Sequence, residues 1–158
     1  MTLAVIGCGY PSRRDDGVGP AVIARLRRRS LPAGVGLYDA GTDGMAVMYR
    51  ARGASHLILV DARAPDGEPG AIYDVPGEVL AAPPPRGLNL HDFRWDHALY
   101  AGCQIYGEDF PSQVKVFLVE AGSLDLGLGL TSAVEAAAEQ VADRIAALSE
   151  TYAAGDWR

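Results

Sequence analysis

The sequence predicts an α/β fold, a three-layer sandwich with a mostly parallel five-stranded sheet and helices on both faces. Three observations carry this. Five short β-type segments are interleaved with stretches of helical spacing, the order that builds parallel α/β sheets. The segment His56-Leu57-Ile58-Leu59-Val60-Asp61 is apolar along its length instead of alternating, as a strand covered on both faces is. The chain has 158 residues, 49% of them apolar and 22% charged, which is about one ordinary globular domain. A domain of this size buries roughly two-thirds of its unfolded surface and needs no disulfide or metal staple.

The elements follow in order. Leu3 to Ile6 is an apolar run stopped by Gly7, hence a buried strand. Asp15-Asp16-Gly17-Val18-Gly19-Pro20 reads as a helix start, with acidic caps and a proline in the first turn. Val18, Ala21, Val22, Arg25 and Leu26 continue that helix at spacings of three and four. A second strand runs from about Val35 to Asp39; Gly41-Thr42-Asp43-Gly44 breaks it and opens a helix through Met45, Met48 and Tyr49. His56 to Asp61 is the third strand. Ala71 to Val75, between Pro69-Gly70 and Pro76-Gly77, reads as an edge strand. Ala81-Ala82-Pro83-Pro84-Pro85 is loop, and helical patterning resumes near His91 and fades by Ile105. Val114 to Val119 is the last strand. A final helix runs from Ser132 to about Leu148, with Ser132 and Glu135 as a capping box. Positions 1–150 read as one domain and 151–158 as a loose tail.

Composition narrows the function. A formal charge of −6 argues against nucleic acid as a partner. Arg25, Arg27, Arg28 and Arg29 form a basic cluster, but one that reads as a solvated helix end. No apolar run approaches the ~20 residues that span a bilayer, and the amino terminus lacks a basic flank and signal core. Two cysteines, Cys8 and Cys103, are too few for a secreted disulfide scaffold. The expectation is a cytoplasmic protein without a membrane partner.

In open parallel sheets, ligands bind beyond the carboxyl ends of the strands, where the strand order reverses. With the order 2-1-3, the first and third strands are neighbours, and Asp16 and Asp61 flank that point. A Pro-rich stretch after the third strand leads to Asn89-Leu90-His91, so two carboxylates and an imidazole share one edge. Gly7-Cys8-Gly9 begins like a dinucleotide fingerprint but has Ser12 where a third glycine belongs, and no phosphate-binding Gly-rich loop ends in Lys-Ser or Lys-Thr. Asp oxygens with one His nitrogen suit a divalent first-row metal ion, and three protein ligands leave positions open for substrate or water.

Blander readings compete. Asp16 is also a good helix N-cap. Asp61 is also a turn residue, although a carboxylate closing a buried strand costs desolvation unless it is paired or ligated. His91 competes with His97 for the role of imidazole ligand, while His56, at the opposite edge, reads as structural. Cys8 and Cys103 read as small buried hydrophobes.

The ordered set Gly7-Cys8-Gly9, Asp15-Asp16-Gly17-Val18-Gly19-Pro20, Asp39-Ala40-Gly41-Thr42-x-Gly44, Leu59-Val60-Asp61-Ala62, His91 and Gly129-Leu130-Thr131 resembles the hydrogenase maturation endopeptidases over nearly the whole chain. These proteins trim the C-terminal tail of the nickel-iron hydrogenase large subunit. The resemblance implies a five-stranded α/β sheet flanked by helices, an aspartyl-type endopeptidase activity, and metal contacts at Asp16, Asp61 and His91. Family members carry Glu or Asp at the position of Asp16, and Ala40 here replaces a usual glycine. It further implies that nickel already installed in the precursor is the metal and that the large-subunit precursor is the partner; from the missing glycine motifs no nucleotide is expected, and a small domain that must approach a folded precursor is expected to work as a monomer. The loop holding Gly41, Thr42 and Gly44 is then either a seat for the extended tail or a plain strand-to-helix turn. Two further readings stand beside this one: a non-catalytic assembly factor that checks nickel insertion, and a nucleotide-binding α/β domain.

Overall fold

Alternation along β1 (Leu3–Cys8) sorts the core into two halves. Leu3 and Val5 face one way, Ala4, Ile6 and Cys8 the other, and all are buried. In the computed structural model, which describes residues 2–76 and 95–157, the first set packs with α1 (Val18–Leu26) and α4 (Ser132–Ala153). The second set packs with α2 (Gly44–Ala51) and α3 (Trp95–Tyr106). Each face of the sheet is thus covered by two helices, the three-layer arrangement expected from the uninterrupted apolar strands.

The sheet has the order β2-β1-β3-β5-β4. β2 (Val35–Gly41), β1, β3 (His56–Arg63) and β5 (Gln113–Glu120) are parallel, and β4 (Ile72–Pro76) joins β5 antiparallel as an edge strand. The five strands fall where the apolar runs place them, and β1 and β3 are the expected neighbours. No helix among the described residues is long and apolar enough to cross a membrane.

Four sequence expectations are corrected. The residues before α1 do not cap it: Arg14–Gly17 form a 3₁₀ turn, and Gly17 is the N-cap without any side-chain bond. Ser132 and Glu135 do not form a capping box. Thr131 is the N-cap, its hydroxyl is turned away to Asp15, and the Glu135 carboxylate pairs with Arg25. The basic cluster is only partly a solvated end. Arg25 pairs with Glu135 and Glu139, and Arg29 with Glu139 and Asp143, which ties α1 to α4 across the surface.

The last correction concerns the C-terminal residues, which are not loose where the structure describes them. α4 runs on to Ala153 and ends in a Schellman turn: Asp156 N–H bonds to Thr151 C=O at 2.8 Å and Gly155 N–H to Tyr152 C=O at 3.0 Å, with Gly155 at φ +78°. The turn sends Trp157 back over the sheet. His56, at the amino end of β3, lies edge-on between Tyr152 and Trp157, with ring centroids 5.0 and 4.7 Å away. Burial lowers its pKa, and the chain's amino terminus lowers it further, in keeping with a structural histidine.

Candidate active site

The site is assembled where β1 ends. The β1–β2 register slips between Gly7, which faces Asp39, and Cys8, which faces Gly41. This bulge leaves Asp39 exposed at the rim, where its carboxylate accepts the Gly41 N–H at 2.9 Å. Gly9 then turns the chain at φ +131° and donates its N–H to Gly41 C=O at 2.8 Å. A Cβ at Gly9 would stand 1.8 Å from the Asp16 carbonyl oxygen, so only glycine lets the 3₁₀ turn carrying Asp16 close over the strand end.

Asp15 and Asp16 point to different tasks. Asp15 is fully buried and accepts four hydrogen bonds: from Gly122 N–H at 2.7 Å, Ser123 N–H at 3.0 Å, Thr131 N–H at 2.7 Å and the Thr131 hydroxyl at 2.8 Å. Burial raises its pKa, but the four donors outweigh burial and hold the carboxyl below its ordinary value. The loops after β1 and β5 are further zipped by Arg14 N–H to Gly127 C=O at 3.0 Å and Gly127 N–H to Ser12 C=O at 2.8 Å. Asp15 is therefore an anchor that fixes the loop presenting its neighbour. Sequence reasoning took it only as a cap.

Asp16, held by that anchor, is half-buried and accepts the Tyr10 N–H at 2.8 Å. Asp61 closes the apolar run of β3, half-buried, with one oxygen accepting the N–H of Ala62 at 2.8 Å. The Cys8 thiol marks where these groups meet. Burial pushes its pKa far above the ordinary thiol range, and the carboxylates of Asp61, Asp39 and Asp16 push it further, in that order. Three acidic side chains, from the ends of β2 and β3 and from the 3₁₀ turn after β1, thus act on one buried sulfur at the carboxyl edge and favour its protonated form.

The sequence-predicted residues divide accordingly. Asp16 and Asp61 are brought to the same strand-end cluster. His91 lies outside the described residues. His97 is buried on α3 beside Ala98 and Leu99. Gly41, Thr42 and Gly44 form the turn between β2 and α2, where Asp43 is the N-cap, accepting from Met45 and Ala46 N–H at 3.0 and 3.3 Å. Asp39 is a third carboxylate at this edge; its signal in the sequence was its place at the end of the second strand. Among the described residues no three His, Cys, Asp or Glu side chains are grouped so as to hold a metal ion. A set of Asp16, Asp61 and His91 includes a residue outside that description. Its oxygens and imidazole nitrogen are the donor chemistry that a divalent first-row ion accepts.

The fold and the carboxylate cluster together define a class: a doubly covered parallel α/β domain whose polar chemistry is gathered at the switch point of the sheet. Comparison with known proteins narrows the class. The model of the hydrogenase maturation protease family matches residues 20–148. The hydrogenase 2 maturation protease of Escherichia coli is 30% identical over 154 residues, covering 96% of this chain and 93% of that one. The chain belongs to the hydrogenase maturation protease family, and by that membership it is a hydrolase of the endopeptidase type. The fold is shared with the hydrogenase maturating endopeptidase HybD of E. coli, with a TM-score of 0.77 at 24% identity over 98% of this chain and 94% of that one. The hydrogenase 2 maturation peptidase of a Thaumarchaeota archaeon aligns with a TM-score of 0.67 at 27% identity, covering 92% of this chain and 95% of that chain.

Proposed function

We propose that this protein removes the C-terminal extension of a nickel-iron hydrogenase large-subunit precursor after nickel insertion, and that it acts in the cytoplasm as a monomer. The observation that carries the reading is the convergence of Asp16, from the 3₁₀ turn after β1, and Asp61, near the end of the adjacent parallel β3, at the carboxyl edge around a buried thiol whose pKa is raised. A protonated, buried sulfur is a poor nucleophile, so the chemistry falls to the carboxylates. Nickel belongs to the substrate here: it arrives with the precursor, and Asp16, Asp61 and His91 complete its coordination at the cleavage point. A metal ion in that position polarises the scissile carbonyl or lowers the pKa of bound water, worth several kcal/mol of barrier. One carboxylate can serve instead as general base toward water. The Gly41, Thr42 and Gly44 turn, on the same edge, seats the extended tail.

The test incubates the protein with nickel-loaded large-subunit precursor, nickel-free precursor and, in parallel, a His91→Ala variant. Loss of a short C-terminal peptide, read by mass, is expected only for wild-type protein with the nickel-loaded precursor. Nickel-dependent binding without any change in mass would replace this reading with that of a non-catalytic assembly factor.

A further inference from the structure

At the amino end of the sheet, remote from the carboxylates, a cleft of about 340 Å³ opens between the start of β1, the first half of β2 and the C-terminal end of α2. Its lining includes Ala4, Gly36 and Tyr38 together with Arg50 and Arg52. Both arginines are exposed, and each guanidinium is held against an aromatic ring: Arg50 lies 5.1 Å from the centroid of Tyr38, and Arg52 lies 4.9 Å from that of Tyr106. Neither makes an ion pair among the described residues, whereas Arg25, Arg29 and Arg63 all do. Stacking on a ring face orients the guanidinium while leaving its in-plane N–H groups available. In a chain of net charge −6, two such cations on one cleft are a local reversal of sign. β2, beside them, pairs only with β1 among the described residues, so its outer edge offers backbone groups to an extended chain.

We infer that the Arg50–Arg52 cleft is a binding site for a carboxylate-bearing peptide segment in extended conformation. The guanidinium fork matches a carboxylate through two parallel hydrogen bonds, and two forks on one cleft suit side-chain carboxylates carried on a strand. The open edge of β2 supplies the main-chain partners. The cleft is lined from the amino-end half of β1 and β2, whereas Asp16 and Asp61 lie at the carboxyl end of the sheet, and it does not depend on the peptidase reading.

The full-length protein is titrated into a short labelled peptide of alternating glutamate and valine, with the glutamine analogue and inorganic phosphate as separate probes. The glutamate peptide is expected to bind at least about tenfold more tightly than the glutamine peptide. Arg50→Gln and Arg52→Gln each weaken it, and Arg50→Lys, which keeps the charge and loses the fork, falls between wild type and Arg50→Gln. Arg28→Gln, in the exposed turn just after α1, leaves binding unchanged. Equal binding of the two peptides, equal loss with Arg28→Gln, or phosphate binding without peptide binding would each overturn the site as described.

Discussion

Asp15 and Thr131, 116 positions apart, are joined twice: the backbone N–H and the hydroxyl of Thr131 each donate to a separate oxygen of the same buried carboxylate, at 2.7 and 2.8 Å. This pair closes the loop after β5 onto the loop after β1. Asp15→Ala removes the acceptor for three backbone N–H groups and a hydroxyl. An unsatisfied buried donor costs about 1–3 kcal/mol, and some of these donors will reach water in the variant, so a loss of about 3 kcal/mol is expected. Thr131→Val removes one of the four bonds and costs about 1 kcal/mol. Thermal or urea unfolding of both variants checks the order; equal stabilities would show that the anchor lies elsewhere.

The same carboxylate sets a pH dependence. Its pKa in the folded protein lies below the ordinary carboxylate value, so the unfolded chain takes up a proton at higher pH than the folded one. Its contribution to stability is therefore complete above the ordinary unfolded value of about 3.9 and is lost as pH falls through the lower folded value. The stability difference between wild type and Asp15→Asn should be flat from neutral pH down to about 5 and shrink below about 4. Urea unfolding of the two proteins from pH 7 to pH 3 measures it, and a difference constant to pH 3 would contradict the assignment.

Much of the frame was legible because apolar runs report strands directly. Leu3 to Ile6, His56 to Asp61 and Val114 to Val119 need no tertiary information, and parallel pairing with short connections then places Asp16 near Asp61. The division of labour between Asp15 and Asp16 was not legible. The two are identical in type and adjacent, and what separates them is a set of donors at Gly122, Ser123 and Thr131. The false capping box has the same cause, since Thr131 is drawn to Asp15 and Glu135 to Arg25 by contacts across the fold. The end of α4 did leave a signal: Gly155, just past the helix, is the residue a Schellman turn requires.

Two glycines of the site should respond differently to alanine. At Gly9 a Cβ would lie 1.8 Å from the Asp16 carbonyl oxygen at φ +131°, so backbone must move; Gly9→Ala is expected to cost about 3 kcal/mol or more and to displace Asp16. At Gly41, φ +56°, a Cβ meets open space, and Gly41→Ala should cost only the left-handed conformation, about 1 kcal/mol. Melting temperatures separate the two, and a Gly41→Ala cost matching that of Gly9→Ala would contradict the packing described.

Cys8 and Cys103 are both unpaired; Cys8 is buried as the sequence suggests, but Cys103, expected as a small buried hydrophobe, is exposed on α3. Burial raises both thiols, but only Cys8 is also pressed by Asp61, Asp39 and Asp16. A thiol reagent at pH 8 should modify Cys103 in the native protein and reach Cys8 only on unfolding. Rapid native labelling of Cys8, read by peptide mass, would reopen a thiol-based mechanism.

The carboxylates themselves bear the decisive prediction. Asp16→Asn keeps an oxygen that can accept the Tyr10 N–H, and Asp61→Asn keeps one for the N–H of Ala62, so both variants should fold with melting temperatures close to wild type. Each loses the negative charge that, under the proposed function, faces a precursor-borne nickel ion or an attacking water. Cleavage of nickel-loaded precursor should fall on the order of 10²–10⁴-fold for either one. The double variant should fall little further than the worse single one, because groups that act as a unit do not add. Asp16→Glu lengthens the reach by one methylene and keeps the charge, and it should retain much of the rate. If both Asn variants cleave at wild-type rates, the carboxylate edge is structural and the reacting groups lie elsewhere.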